Sequence, residues 1–208
     1  MHATNHDTQS KMTPAEALER LKHGNERFRS SQMTKRDLLQ QIQETRDGQW
    51  PFAVVLSCID SRVSAELVFD QGIGDIFSAR IAGNFQNDDI LGSIEFACKV
   101  AGAKLVVVLG HSHCGAIKGA CDDVELGHLT GMLKNLRPAV DAITSPAEKS
   151  ERSSANADFV AAVAQQNVRS TVEAIGQRSD VLRELRDAGA IDIVGGMYDI
   201  TTGAVEFF

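Results

Sequence analysis

The feature that most constrains this chain is a pair of short, uninterrupted apolar stretches: Phe52-Ala53-Val54-Val55-Leu56 and, continuing from Lys104, Leu105-Val106-Val107-Val108-Leu109. Segments this short, apolar at every position and rich in branched side chains read as strands buried on both faces, which places them in the middle of a parallel sheet. Each is followed at once by residues able to do chemistry: Cys58-Ile59-Asp60-Ser61-Arg62 after the first, Gly110-His111-Ser112-His113-Cys114-Gly115 after the second. The carboxyl ends of strands are where open α/β sheets build their sites. If the two strands are neighbours, the two clusters meet.

Around these strands the pattern alternates strand and helix. Thr13-Pro14-Ala15-Glu16 supplies an N-cap, a proline at the first helical position and a glutamate three residues after the cap. A helix therefore runs from 13 to about 29, with Leu18, Leu21 and Phe28 along one side, and a second covers 35–46 before Asp47-Gly48 stops it. Both are polar enough to read as an arm, lying either on a partner subunit or on the periphery of their own. A short helix at 65–69, a strand at 75–80, a helix at 88–101 and a helix from Cys114 to about Cys121 come next. A long helix at 158–177 and a strand at 191–199 follow, and Thr201-Thr202-Gly203 turns the chain back as an edge strand over 204–208. The expected fold is α/β: a mainly parallel central sheet of four strands plus an antiparallel C-terminal edge strand, flanked by helices. A chain of 208 residues holds one sizeable core. The expected organisation is a disordered or loosely packed start over 1–12 and a single domain over 13–208, with 13–47 as its helical arm.

Composition excludes several classes of function. A formal charge of -7 with no block of Lys and Arg leaves no electrostatic footprint for nucleic acid. No apolar stretch approaches the length of a membrane span, and the polar start, Met1 to Lys11, lacks the apolar core of a signal peptide. Four cysteines in a chain of this kind suit metal or catalytic use better than disulfides, so the expected location is cytoplasmic.

In an extended segment residues i, i+2 and i+4 project to one side, so Cys58, Asp60 and Arg62 share a face. Cys58, His111 and Cys114 make three zinc ligands with the fourth tetrahedral corner open, as catalytic rather than structural sites have it. His111, three residues from Cys114, is preferred to His113, because adjacent residues rarely point at one ion. Cys98 and Cys121 lie in helical stretches with no histidine beside them and read as buried thiols. Two thiolates neutralise the ion's charge, so such a site acidifies its water less than three imidazoles would. Asp60, kept ionised by Arg62, accepts a hydrogen bond from that water and orients it.

Cys58-x-Asp60-x-Arg62 followed by His111-x-x-Cys114, with Arg80-Ile81-Ala82-Gly83-Asn84 between them and Tyr198-Asp199-Ile200-Thr201-Thr202-Gly203 at the close, resembles the β-class carbonic anhydrases from about residue 13 onward. The resemblance implies one Zn2+ per subunit on Cys58, His111 and Cys114, and a catalytic dyad of Asp60 and Arg62. The implied reaction is reversible hydration of carbon dioxide to bicarbonate and a proton by zinc-bound hydroxide. A homodimer is implied too, paired in some members into a homotetramer, with N-terminal helices embracing the neighbour. In the implied substrate pocket Gln49 reaches toward substrate, often across the dimer interface, Phe77, Ala82 and Phe96 form apolar walls, and the Gly115 amide faces a substrate oxygen. An apolar slot suits carbon dioxide, which has little to hydrogen-bond. One departure is informative. Members with a bicarbonate-regulated closed state resemble one another in a tryptophan three residues before the first zinc cysteine; here that residue is Val55. Asp60 is therefore expected on Arg62 rather than on the metal. The competing readings are hydrolysis of another small linear molecule, carbon disulfide or carbonyl sulfide, on the same fold; a non-catalytic zinc-binding module; and a thiol redox protein. Asp60 and Arg62 speak against the module, since a structural site has no use for an oriented hydroxide. The absence of C-x-x-C spacing speaks against redox chemistry.

Overall fold

The computed structural model of the chain describes residues 2–208; Met1, where the expected loose start begins, lies outside the described residues. Strands β1 (Ala53–Ser57), β2 (Ile76–Arg80), β3 (Leu105–His111), β4 (Asp192–Tyr198) and β5 (Val205–Phe207) form one sheet in the order β2-β1-β3-β4-β5. The first four are parallel, and β5 runs antiparallel along β4. This is the sheet expected from the sequence. β1 and β3 lie between other strands, and every residue in them is buried. Alternation sorts their side chains between two cores. Ala53, Val55, Leu105, Val107 and Leu109 face one; Val54, Leu56, Val106 and Val108 face the other.

The helices are, in chain order, α1 (His6–Lys11), α2 (Pro14–Arg29), α3 (Leu38–Thr45), α4 (Ala65–Val68), α5 (Asp88–Glu95), α6 (Gly115–Cys121), α7 (Gly127–Leu133), α8 (Arg137–Ala142), α9 (Ala157–Arg178) and α10 (Asp180–Asp187). Helices α2 and α4 cover the first core, and α5, α9 and α10 the second. Beneath the carboxyl ends of the strands a third apolar cluster joins α6 and α8 to the start of α9, through Ile117, Val140, Phe159 and Val163. Among the described residues no helix is long and apolar enough to cross a membrane.

For the N-terminal part the structure departs from the loose start expected over 1–12 and, of the two placements left open for the first helix, shows the one on its own subunit. From residue 2 onward the start is not loose. Asn5 and Thr8 cap α1 reciprocally. The buried Gln9 donates through Nε2 to the carbonyls of Pro51 and Ala101, 2.7 Å from each, and the buried Thr4 gives its amide (3.0 Å) and hydroxyl to Asp75. Polar anchors of this kind have no hydrophobic periodicity, so no pattern in the sequence announces them. Helix α2 opens with the expected capping box, Thr13 Oγ1 accepting from the Glu16 amide at 3.2 Å and Glu16 Oε2 accepting from the Thr13 amide at 2.8 Å. It lies on its own sheet, with Ala17 and Leu21 fully buried. Gly24 permits the close approach: a Cβ there would sit 1.8 Å from the Phe69 carbonyl oxygen. Helix α3 keeps the character of an arm, leaving Leu38, Leu39 and Ile42 exposed.

The helix expected over 88–101 changes character after Glu95. Residues Phe96–Val100 form a π turn, with the Ala101 amide donating to the Phe96 carbonyl at 3.0 Å. The wider turn keeps Ala97 and Cys98 in the core while Phe96 and Val100 stay exposed.

Between α4 and β2 the chain passes through Asp70, a left-handed residue with φ 45. Its fully buried carboxylate accepts from Arg27, from Arg36, and from the amide (3.1 Å) and hydroxyl (2.9 Å) of Thr34. Burial pushes the carboxyl up, but Arg36, Arg27 and Thr34 outweigh it and bring it to about 2. The Arg36 side chain is only 7% exposed. Asp70→Ala therefore strands a buried guanidinium, and urea unfolding at neutral pH is expected to show a loss of about 3–5 kcal/mol. Because the folded pKa lies below the unfolded 3.8, this stabilisation is complete above about pH 4 and drains as pH falls through about 2. The gap between parent and variant should narrow over that interval, and a gap that stays constant would remove the Asp70 charge from the account.

Candidate metal centre

Cys58 is the first residue beyond β1, His111 the last of β3, and Cys114 the N-cap of α6. β1 and β3 pair in parallel with Ser57 opposite Leu109, so the two ends lie side by side. The result is a cluster of Cys58, His111 and Cys114 whose ligand atoms lie within 4.8 Å of one another, each residue at most 4% exposed. The two sulfurs are 3.9 Å apart, far beyond a disulfide bond. Two sulfurs bonded at about 2.3 Å to one tetrahedral ion sit roughly 3.8 Å apart, so the spacing fits a shared ion. His111 Nδ1 donates to the Ser112 carbonyl at 2.9 Å, which leaves the lone pair on Nε2. That Nε2 is buried with no protein partner. An orphaned imidazole nitrogen beside two thiols is a donor set that a zinc-like cation satisfies. Exposed His113, left-handed at φ 57, stands outside the cluster.

The surroundings favour sulfur in the anionic form. Cys58 is lowered to about 4, first by the hydrogen bond from Cys114 and against the effect of burial, with the amides of Gly83 and Asp60 adding to it. The Gly83 amide is 3.3 Å from the sulfur. Gly83 takes a left-handed φ of 81, and a Cβ there would lie 2.7 Å from Leu136 Cδ1, so only glycine brings this amide in. Cys114 is pushed up, by its bond with Cys58 and by burial, while the amides of Ile117 and Ala116 oppose the rise. One proton shared between two sulfurs is what a pair without a cation carries; a dication displaces it.

Asp60 and Arg62 form a fork. Arg62 Nε donates to Oδ1 at 2.9 Å and Nη2 to Oδ2 at 2.7 Å, and the Arg62 amide adds a third bond to Oδ1 at 3.0 Å. Arg62 holds the Asp60 carboxyl well below the usual carboxylate range, and Asp60 raises Arg62 in return. Both Asp60 oxygens are thus engaged by Arg62, the pairing expected from the sequence. A residue that sequence reasoning quoted without assigning proves central. Arg80, at the end of β2, donates through Nε to the Cys58 carbonyl (3.0 Å) and through Nη2 to the Asp60 carbonyl (2.7 Å). It clamps the backbone that carries ligand and carboxylate. The register that sets Arg80 opposite Ser57 is the signal, and it becomes visible only once β1 and β2 are paired.

The remaining pocket candidates are dispersed within one chain. Phe77 and Phe96 meet edge to face at 6.3 Å and line a groove of about 780 Å³ with Val54, Ala79 and Arg80 on the β2 side of the sheet. Ala82 is half-buried beside Gly83, and Gly115 is exposed at the start of α6 with no heavy atom within 4 Å of where a Cβ would stand. Exposed Gln49 lines a different depression, with Thr45 and Gly74.

A mostly parallel α/β sheet carrying an open Cys-His-Cys cluster at the carboxyl ends of its central strands defines a metal-binding protein of the three-ligand type. The model of the carbonic anhydrase family matches residues 53–205. The carbonic anhydrase of Mycolicibacterium smegmatis is 36% identical over 195 residues, 93% of this chain and 92% of that one. Carbonic anhydrase 2 of Mycobacterium tuberculosis is also 36% identical, over 91% of this chain and 90% of its own. Among solved structures, the β-carbonic anhydrase CafA of Aspergillus fumigatus superposes with a TM-score of 0.72 at 25% identity, covering 93% of this chain and 89% of that one. This chain belongs to the carbonic anhydrase family, and within it to the β-class.

Proposed function

We propose that the chain hydrates carbon dioxide reversibly to bicarbonate and a proton, with Cys58, His111 and Cys114 holding one Zn2+ per chain. The observation that carries the proposal is the buried, partnerless His111 Nε2 beside two sulfurs 3.9 Å apart. When bound, zinc acts as a Lewis acid and brings the pKa of a water molecule down toward about 7. The rest is done by the chain. Two thiolates and a neutral imidazole balance the dication, which tempers that acidification and gives Asp60 its task. An ionised carboxylate only accepts hydrogen bonds, so it accepts one from the nucleophilic oxygen and turns that oxygen's lone pair toward the carbon of carbon dioxide. Arg62 fixes the carboxylate in that role, and Arg80 fixes the backbone of both Cys58 and Asp60. The oxygen adds to carbon, one C=O π pair moves onto oxygen to give bicarbonate, and the released proton leaves to solvent.

Phe77, Ala82 and Phe96 read as apolar walls, and the Gly115 amide as a donor to a substrate oxygen. Gln49 reaches the reacting carbon only from a second subunit, since in its own chain it sits in another depression. A homodimer fits this reading. β2 leaves an unpaired sheet edge beside exposed Leu67, Phe96 and Val100, and α3 presents Leu38 and Leu39. A β-carbonic anhydrase of Sordaria macrospora is described as tetrameric, and pairing of dimers is the further step we read here. Four free, buried thiols suit a reducing compartment, which we take to be cytoplasmic.

The test is zinc content, particle mass and carbon dioxide hydration measured on one preparation. About one zinc per chain and hydration far above the buffer rate are expected. Zinc with hydrolysis of carbonyl sulfide or carbon disulfide, and no hydration, would favour the runner-up substrate. Zinc with no turnover of any of these would leave only the non-catalytic module.

A further inference from the structure

We propose that Asp199 is a positioning residue for the metal ligand His111, acting through Ser112. The inference rests on reading Cys58, His111 and Cys114 as the metal site, and it gives a task to the closing Tyr198–Gly203 segment, which the reaction itself does not use. His111 can present Nε2 to a cation only if the ring proton stays on Nδ1, and what holds it there is the Ser112 carbonyl at 2.9 Å. That carbonyl is aimed from the β4 side. The Ser112 amide donates to the Tyr198 carbonyl at 2.9 Å, and Ser112 Oγ accepts from the Ile200 amide at 3.0 Å. Having accepted there, the hydroxyl turns its hydrogen to Asp199 Oδ1, 3.4 Å away.

Asp199 is in turn fixed by the tight turn it opens. Its carboxylate accepts from the Thr201 amide and the Thr202 hydroxyl, each at 2.8 Å, and its carbonyl accepts from the Gly203 amide at 2.8 Å. The peptide after Ser112 is correspondingly forced, since the next residue, His113, is left-handed at φ 57. A chain of hydrogen bonds thus runs from the β4–β5 turn through Ser112 to the imidazole. Outer partners of this kind fix the tautomer and ring orientation of a ligating histidine, and losing one typically weakens metal binding 10–100-fold.

The experiment follows zinc release from the loaded protein into excess chelator for Asp199→Ala, Asp199→Asn, Ser112→Ala and the Asp199→Ala/Ser112→Ala double variant. Asp199→Ala and Ser112→Ala are each expected to release zinc about 10–100 times faster than the parent. As links of one chain their effects should not multiply, and the double variant should stay within about threefold of the faster single. Asp199→Asn, which keeps an oxygen for the Ser112 hydroxyl and the Thr201 amide, should restore nearly the parental rate. Parental release from Asp199→Ala or from Ser112→Ala overturns the inference, as does a double variant in which the two factors multiply. A lowered unfolding midpoint with unchanged release reduces Asp199 to a turn residue and also overturns it. A parent that takes up no zinc overturns the metal reading itself, and this inference with it.

Discussion

Cys58→Ala is expected to lose zinc and carbon dioxide hydration together while remaining folded. Structural zinc sites are worth roughly 10–16 kcal/mol spread over four ligands, so one thiolate accounts for about 3–4 kcal/mol, or several-hundredfold in affinity. Among the described residues the cluster offers three candidate ligands, and two would not hold an ion against a chelator. The side chain lost is small, though the buried Gly83 amide loses the sulfur it faces, so a modest drop in the thermal midpoint accompanies the loss of zinc. Zinc measured after gel filtration, alongside the thermal midpoint, checks the expectation. Cys98→Ala supplies the contrast. That thiol lies in the core beneath β1 and β3, burial pushes it up to about 12, and it has no place in the cluster. Its replacement should cost stability and leave zinc content at the parental level. A Cys58→Ala protein with a full zinc equivalent would move the metal elsewhere.

The contrast between these cysteines shows what the sequence makes legible. Cys58 follows an apolar run and precedes Asp60 and Arg62, Cys114 stands between His113 and Gly115 just past a second run, and strand adjacency does the rest. The buried character of β1 and β3, and with it their central place in the sheet, follows from their apolar runs, and the spacing offers the Cys58, His111 and Cys114 cluster once those strands are neighbours. The full strand order does not follow from the pattern. What sequence does not expose are contacts made by single polar side chains across long separations. Gln9 reaching Pro51 and Ala101, Thr4 reaching Asp75, and Arg80 reaching the Cys58 and Asp60 carbonyls each depend on a register or docking that no local pattern encodes. Helix α2 shows the same limit from the other side. Its polarity suggests an arm, yet two small or medium apolar residues and one glycine at a close approach suffice to seat it on the sheet. The pocket candidates are the least legible, since Gln49 and the Phe77–Phe96 pair line two separate depressions of the chain and no local pattern ties either to the Cys58 cluster.

Asp60→Asn separates holding the metal from using it. The substitution keeps size and one acceptor oxygen but removes the charge, and an amide nitrogen takes the place of the oxygen that Arg62 Nη2 grips at 2.7 Å. With the amide and Nε of Arg62 on one oxygen and Nη2 on the other, the new amide nitrogen meets an Arg62 donor in either orientation, and the charge that accepts the nucleophile's hydrogen bond is gone. Either arrangement destroys the orientation that Asp60 supplies. Positioned acceptors and proton-handling groups of this kind contribute about 10²–10⁴-fold, so hydration should fall by that factor while zinc content stays at the parental value. Arg62→Ala should fall by less, because it loosens the carboxylate without removing it. The pH dependence sharpens the distinction. Asp60 is held far below the usual carboxylate range by Arg62, so in the parent it remains ionised through mildly acidic pH. An acid limb of the parental profile therefore belongs to another group, and Asp60→Asn should lower the whole profile without shifting that limb. Full hydration by the zinc-loaded Asp60→Asn protein would take Asp60 out of the reaction and leave Arg62 with a purely structural partner.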